Sequence, residues 1–334
     1  MSRGVHLVAG RILRTSHRLA PADDTGLRLF VRQARPEGPS RATVVLVHGA
    51  TLASGLWDIP VPGYSLLEAL ARAGFSAWAP DIRGYARSDR LARPTQAYAG
   101  LHEAVRDIAA VVDHACDSDG NGRSGQVLLV GGSWGSITVA SYAVAHPRRV
   151  QALALLAPIF ASPNRLWLDD LGDPADRARL RTDLGPTRRV GRADLCRRWD
   201  PEIAGGDPTR RREDRVLDAL LADALAAEPA VQALPDHDRS FCVPNGTLVD
   251  LFESFSGRPP YDPSTLRMPV LLVRGEDDLT STAADVDALR ARLTGGPVHC
   301  ETLPDAGHFV CAERSAPRLH QVLFDFFSLQ TASP

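Results

Sequence analysis

The turn Gly131-Gly132-Ser133-Trp134-Gly135 constrains this chain more than any other stretch, because it joins an apolar run at 126–130 to a helix-like run at 136–146. A strand that reverses into a helix within so few residues forces its middle residue into a strained backbone conformation, so small residues must flank it. Gly131 and Gly135 supply that clearance. Such a turn lifts the Ser133 hydroxyl above the end of a sheet. It also points the free N–H groups of a helix N-terminus at whatever Ser133 attacks. Ser133 is therefore the candidate nucleophile.

The rest of the chain alternates strand and helix around this turn. Period-two alternation at 5–14 and 26–32, separated by a polar turn at 20–25, predicts antiparallel edge strands. The β-branched run Thr43-Val44-Val45-Leu46-Val47 predicts a parallel strand buried on both faces, ending in His48-Gly49-Ala50-Thr51. A helix at 65–73 has Ser65 as N-cap and Gly74 as its stop, and a strand follows at 75–79. An amphipathic helix at 101–116, a polar loop at 117–125 and a strand at 150–157 complete the first part. The pattern then lapses between 160 and 260, where Arg-, Asp- and Ala-rich helical pieces such as 215–227 replace apolar runs. It resumes with strands at 269–275 and 298–303, a helix at 283–293 and a last helix at 315–327. The expected fold is an α/β, mostly parallel, doubly wound sheet, with a core at 1–159 and 261–334 and an inserted helical cap at 160–260.

Composition narrows the function. A net charge of -2 over 334 residues gives no basis for nucleic acid or an anionic membrane as principal partner. Residues 1–16 lack an unbroken apolar core of the secretory kind, and no stretch is long enough to span a bilayer, so a cytoplasmic location is expected. Five cysteines, Cys116, Cys196, Cys242, Cys300 and Cys311, are scattered without metal-binding spacing and read as reduced packing residues.

A serine hydroxyl is a poor nucleophile at neutral pH; a base must take its proton, and a carboxylate should orient that base. Gly275-Glu276-Asp277-Asp278 follows one late strand and Gly307-His308 follows the next. A lone aspartate at a strand end is commonly a turn residue, and a lone histidine commonly a packed one. Three such residues in the order Ser, Asp, His, each at a strand's C-terminal end, are far more specific.

On these residues the chain resembles α/β-hydrolase-fold serine hydrolases over essentially its whole length. The resemblance implies Ser133 as nucleophile, His308 as base and Asp278 as the orienting acid, with the adjacent Asp277 as the alternative acid. It further implies an oxyanion hole formed by the backbone amides of Ala50 and Trp134, and no metal or organic cofactor. The Trp134 indole is expected either to line the pocket or to pack beneath the cap. The segment Asp81-Ile82-Arg83-Gly84-Tyr85-Ala86-Arg87-Ser88 resembles the family's D-x-R-G-x-G-x-S, with Ala86 in place of the second glycine, and is expected to be structural.

Haloalkane dehalogenases and epoxide hydrolases of this fold carry aspartate at the elbow, which Ser133 disfavours. The implied enzyme cleaves an ester, lactone or thioester of a small or medium organic acyl compound. A carbon–carbon bond hydrolase or an acyltransferase on the same triad are the alternatives, as is a catalytically weak hydrolase-fold ligand-binding protein. Cap residues Arg188, Arg189, Arg192, Arg197, Arg198, Arg210, Arg211 and Arg212 could attract an anionic substrate, but the interleaved Asp and Glu residues favour a solvated, ion-paired surface. Residues 241–255 are expected to lay apolar side chains over the nucleophile.

Overall fold

The computed structural model describes residues 10–23, 25–120, 125–203 and 206–331. In chain order the first part comprises β1 (Ile12–Leu19), β2 (Leu29–Pro36), β3 (Thr43–Val47), α1 (Leu66–Arg72), β4 (Ser76–Pro80), α2 (Leu101–Ser118), β5 (Val127–Gly132), α3 (Trp134–Ala145) and β6 (Val150–Leu156). An intervening segment holds α4 (Arg165–Leu171), β7 (Thr187–Gly191), α5 (Arg192–Trp199), α6 (Asp214–Leu225), β8 (Ser240–Pro244) and α7 (Gly246–Phe255). The chain then forms β9 (Val270–Gly275), α8 (Ala283–Arg292), β10 (Val298–Leu303) and α9 (Ala316–Thr331).

Eight strands form one sheet in the order β1-β2-β4-β3-β5-β6-β9-β10. β1 and β2 run antiparallel at one edge, and from β4 to β10 every neighbouring pair is parallel. The uninterrupted apolar strands follow from having helices on both faces, since successive residues point to opposite sides. Val45, Val47, Leu129 and Leu153 face the side packed by α2 and α3 through Ile108, Val111 and Ile137. Val44, Leu46, Leu128 and Val130 face the side packed by α1 and α9 through Leu67, Leu70, Leu319 and Phe327. Each such large side chain contributes roughly 1.5–3 kcal/mol when fully buried.

Two expected elements need correction. The first strand runs on past Arg14 to Leu19, because its register with β2 continues and Thr15 Oγ1 donates to the Gln33 amide oxygen at 2.7 Å; the part of that expectation at 5–9 lies outside the described residues, as do 121–124 of the polar loop. The insertion is not wholly helical either. β7 and β8 pair antiparallel over five residues each. The sequence of β7, Thr-Arg-Arg-Val-Gly, hides this because Val190 alone of its side chains is buried.

Ser65 caps α1 by accepting the Glu68 amide at 3.0 Å. In the segment after β4, Asp81 accepts the amides of Ser54 and Arg87, and Ser88 Oγ donates to the Asp81 carbonyl. Ala86 holds the left-handed φ of +37° that a glycine would tolerate better. All five cysteines are free thiols; Cys116 and Cys311 are buried, whereas Cys300 is exposed and is no packing residue. No helix among the described residues is long and apolar enough to cross a membrane.

Candidate active site

β5 ends at Gly132 and α3 begins at Trp134, so Ser133 alone makes the reversal. Its φ of +55° and ψ of −123° lie where non-glycine residues are strained, a cost of order 1–3 kcal/mol borne by surrounding contacts. Those contacts are specific. The Ser133 amide donates to the Leu156 carbonyl at 2.8 Å, and Ser136 Oγ donates to the Ser133 carbonyl at 2.6 Å. A Cβ on Gly131 would collide with the Gly135 carbonyl, and one on Gly135 with the Val47 carbonyl. Both glycines are dictated by close approach of backbone.

Asp278 and His308 stand just beyond the ends of β9 and β10. His308 Nδ1 lies 3.0 Å from each Asp278 carboxylate oxygen, and His308 Nε2 lies 2.9 Å from Ser133 Oγ. A carboxylate can only accept, so Nδ1 carries the proton and Nε2 is left to accept from the serine. Asp278 Oδ1 also accepts the amides of Thr280 and Ser281, both at 2.8 Å, which fixes the carboxylate. Burial opposes a charged imidazole, but the Asp278 charge and hydrogen bond, with the charge of Glu202, outweigh it. The His308 pKa is raised above the ordinary 6.5.

Asp277 points away and forms an ion pair with Arg211, its side chain 42% exposed. The backbone amides of Asp277 and Asp278 go to the carbonyls of Ala306 and Gly275, and this turn sends adjacent side chains in different directions.

Ala50 follows β3 and has no acceptor for its N–H among the described residues. Trp134 opens α3, where the first amides lack intrahelical acceptors. The Ala50 carbonyl is held by Tyr85 Oη at 2.8 Å and Arg188 Nη2 at 2.6 Å. His48 accepts the Ile82 amide at Nε2, 3.0 Å, which leaves Nδ1–H to donate to the Gly49 carbonyl at 2.7 Å. Burial lowers its pKa, so His48 is a neutral brace for this loop. The Trp134 indole does not line the cavity. It is fully buried and donates through Nε1 to Asp250 of α7 at 2.8 Å. Burial, offset by that bond, raises the Asp250 pKa to about 6.

A cavity of about 250 Å³ opens over Ser133 and His308, with walls from Trp57, Trp167, Leu195 and Leu248. Of the 241–255 stretch, Leu248 and Leu251 reach the cavity, while Phe252 and Phe255 are packed in the interior.

Several site residues carry no signal in the sequence. Glu202 accepts the amides of His308 at 2.7 Å and Leu279 at 3.1 Å, and so ties the base loop to the acid loop. Glu313 accepts the Gly307 amide at 2.7 Å and Trp199 Nε1 at 2.8 Å. Burial, partly offset by these donors, pushes its pKa up to about 7. Glu202 sits among arginines and aspartates that resemble a solvated surface, and both its partners are distant in sequence; Glu313 follows an apolar run, six residues from Gly307 but 114 from Trp199. The arginine-rich stretches divide likewise. Arg192 and Arg197 are surface ion pairs with Asp218 and Asp194, but Arg211 and Arg212 are buried ones. Among the described residues no cluster of His, Cys, Asp or Glu could hold a metal ion.

A family model described as alpha/beta hydrolase fold matches residues 42–315. Epoxide hydrolase A of Mycobacterium tuberculosis is 31% identical over 135 residues, 40% of this chain and 37% of that protein. Lipase LipV of the same organism is 32% identical over 133 residues, 40% of this chain and 42% of that protein. The chain thus matches less than half the length of either. A thermophilic esterase from Thermogutta terrifontis superposes with a TM-score of 0.65 over 95% of this chain and 100% of that one; at 18% identity this is a likeness of fold.

Proposed function

Because this chain belongs to the alpha/beta hydrolase fold family, we propose that it is a serine hydrolase that cleaves an ester, lactone or thioester of a small or medium organic substrate through an acyl-enzyme on Ser133. The relay from Asp278 through His308 Nδ1 and Nε2 to Ser133 Oγ, 3.0 and 2.9 Å, is the observation that carries this reading.

In this reading Ser133 Oγ attacks the substrate carbonyl as His308 Nε2 takes its proton, and Asp278 stabilises the imidazolium. The amides of Ala50 and Trp134 donate to the oxyanion, and collapse of the intermediate returns the proton to the leaving group. Water, deprotonated by the same imidazole, then releases the acid. The names of some relatives raise epoxide hydrolysis, and chemistry argues against it here. Opening an epoxide with a serine oxygen leaves an alkyl ether, which has no carbonyl for water to attack, so turnover would stop. A serine nucleophile needs an acyl group.

The test is covalent labelling by a fluorophosphonate probe, located by peptide mass, followed by rates on nitrophenyl esters, lactones and acyl thioesters. Labelling at Ser133 with turnover of at least one class is expected. Absence of labelling in folded protein would count against the nucleophile and favour a ligand-binding protein.

A further inference from the structure

Eight arginines in the 188–212 stretch look alike in sequence, and their partners set them apart. Arg189 reaches Ser240 and Glu228, and Arg192, Arg197, Arg211 and Arg212 each hold a carboxylate. Arg188 is directed at the Ala50 and Pro244 carbonyls and the Asn245 side chain, so its donors are engaged with backbone and amide. Arg210 is exposed.

Arg198 differs from all of these. It lines the cavity that contains Ser133 and His308, yet among the described residues it has neither a hydrogen bond nor a carboxylate in ion-pair contact. Its guanidinium carbon lies 3.4 Å from the centroid of the Trp167 ring. Stacking of that kind fixes the plane of the guanidinium and leaves its edge donors free. Burial lowers its pKa to about 10, with Asp170 and Glu202 opposing, so it remains cationic at neutral pH; its charge in turn opposes protonation of His308. Asp170, a carboxylate at the cavity wall, is exposed and makes no ion-pair contact among the described residues, although its charge acts on Arg198 at longer range.

A partly desolvated cation with no carboxylate in ion-pair contact, held flat at the wall of a reaction cavity, is poorly accounted for by stability alone. We infer that Arg198 anchors a carboxylate carried by the substrate, remote from the bond that Ser133 attacks. This deepens the acyl-enzyme reading and rests on it. A carboxylate matches a single guanidinium fork with two parallel hydrogen bonds. A phosphoryl group would be better served by several unpaired cations, and here the neighbouring arginines are engaged. The apolar walls, Trp57, Leu195 and Leu248, would take the intervening carbon chain. The competing account is a cation–π staple that merely holds α5 against α4.

The experiment compares 4-nitrophenyl valerate with mono-4-nitrophenyl glutarate, which differ by a terminal methyl against a carboxylate. The wild-type enzyme should favour the glutarate by about 10–100-fold in kcat/KM, the range of a lost charge-assisted hydrogen-bond pair. Arg198→Met keeps a flexible stem against Trp167; it should bring the ratio of the two kcat/KM values to about one, whatever its effect on the valerate itself, while Arg198→Lys restores part of the preference. Equal loss on both esters would reveal the staple and overturn the inference, as would a wild-type enzyme that labels at Ser133 but ignores the charge. Free glutarate should also raise the Tm of Ser133→Ala protein, and the Arg198→Met change in that background should remove the rise. That arm stands if no labelling occurs, so failure of the nucleophile and failure of the anion site remain distinguishable. A rise as large with inorganic phosphate would overturn the choice of carboxylate. Should Arg198→Met not fold, Arg198→Lys with the glutarate shift decides.

Discussion

The carboxylate of Glu202 accepts the backbone amide of His308 at 2.7 Å across 106 residues of chain, and with its other oxygen accepts the amide of Leu279, next to Asp278. A residue of the insertion thereby holds the base loop and the acid loop in one geometry. Its charge also helps raise the His308 pKa, although burial raises that of Glu202 itself. The 160–260 segment thus does more than cover a pocket.

Glu202→Gln should therefore act through His308. One amide keeps a carbonyl acceptor and the other loses its charged partner, so kcat/KM should fall about 10-fold, the scale of a charge-assisted bond. Removal of a negative charge near the imidazole lowers its pKa, so the acid limb of the pH–rate profile should move to lower pH. A rate loss with an unmoved limb would make Glu202 a purely structural support.

Asp278→Asn should cost up to about ten-thousandfold in turnover, because the imidazole is then free to take the wrong tautomer and the imidazolium is uncompensated. Asp277→Asn breaks only its ion pair with Arg211 and should cost little turnover, with a modest loss of Tm. Steady-state rates on folded variants check the ranking, and the reverse order would transfer the acid to Asp277.

In the proposed mechanism activity requires neutral His308 in the free enzyme. Its raised pKa places the half-point of the acid limb above 6.5, with unit slope below it. The stability contribution has the opposite sense. A histidine raised on folding stabilises fully below its unfolded pKa, and that benefit is lost as pH rises through the folded value. A limb centred clearly below 6.5 in folded protein would contradict His308 as base.

Glu313, with its pKa up to about 7 from the ordinary 4.5, binds a proton in the folded state that the unfolded chain releases between those values. Stability should therefore fall as pH rises through that window, by about 3 kcal/mol at most for this group. Glu313→Gln should flatten the dependence: urea midpoints would differ less between pH 5 and pH 8 than in the wild type. An unchanged slope would mean that other groups govern it.

The sequence by itself determined most of the elements and singled out three residues that the structure brings together. Backbone demands are local, so Gly131 and Gly135 announce the elbow, Ser65 announces its cap, and β-branched runs announce strands buried on both faces. Ser133, Asp278 and His308 were legible because each follows its own strand directly, and a parallel sheet brings those strand ends to one edge. Other features depend on which way a side chain points and what comes to meet it, and these the tertiary structure alone decided. The turn after β9 sends Asp278 to His308 and Asp277 to Arg211. The Trp134 indole, with two expected places, is drawn beneath α7 by Asp250. Glu202 and Arg198 read as members of a charged, solvated stretch, yet the packing of the insertion turns one onto the His308 backbone and the other into the cavity. Charge patterns record what a residue can pair with; only the close approach of distant segments fixes what it does pair with.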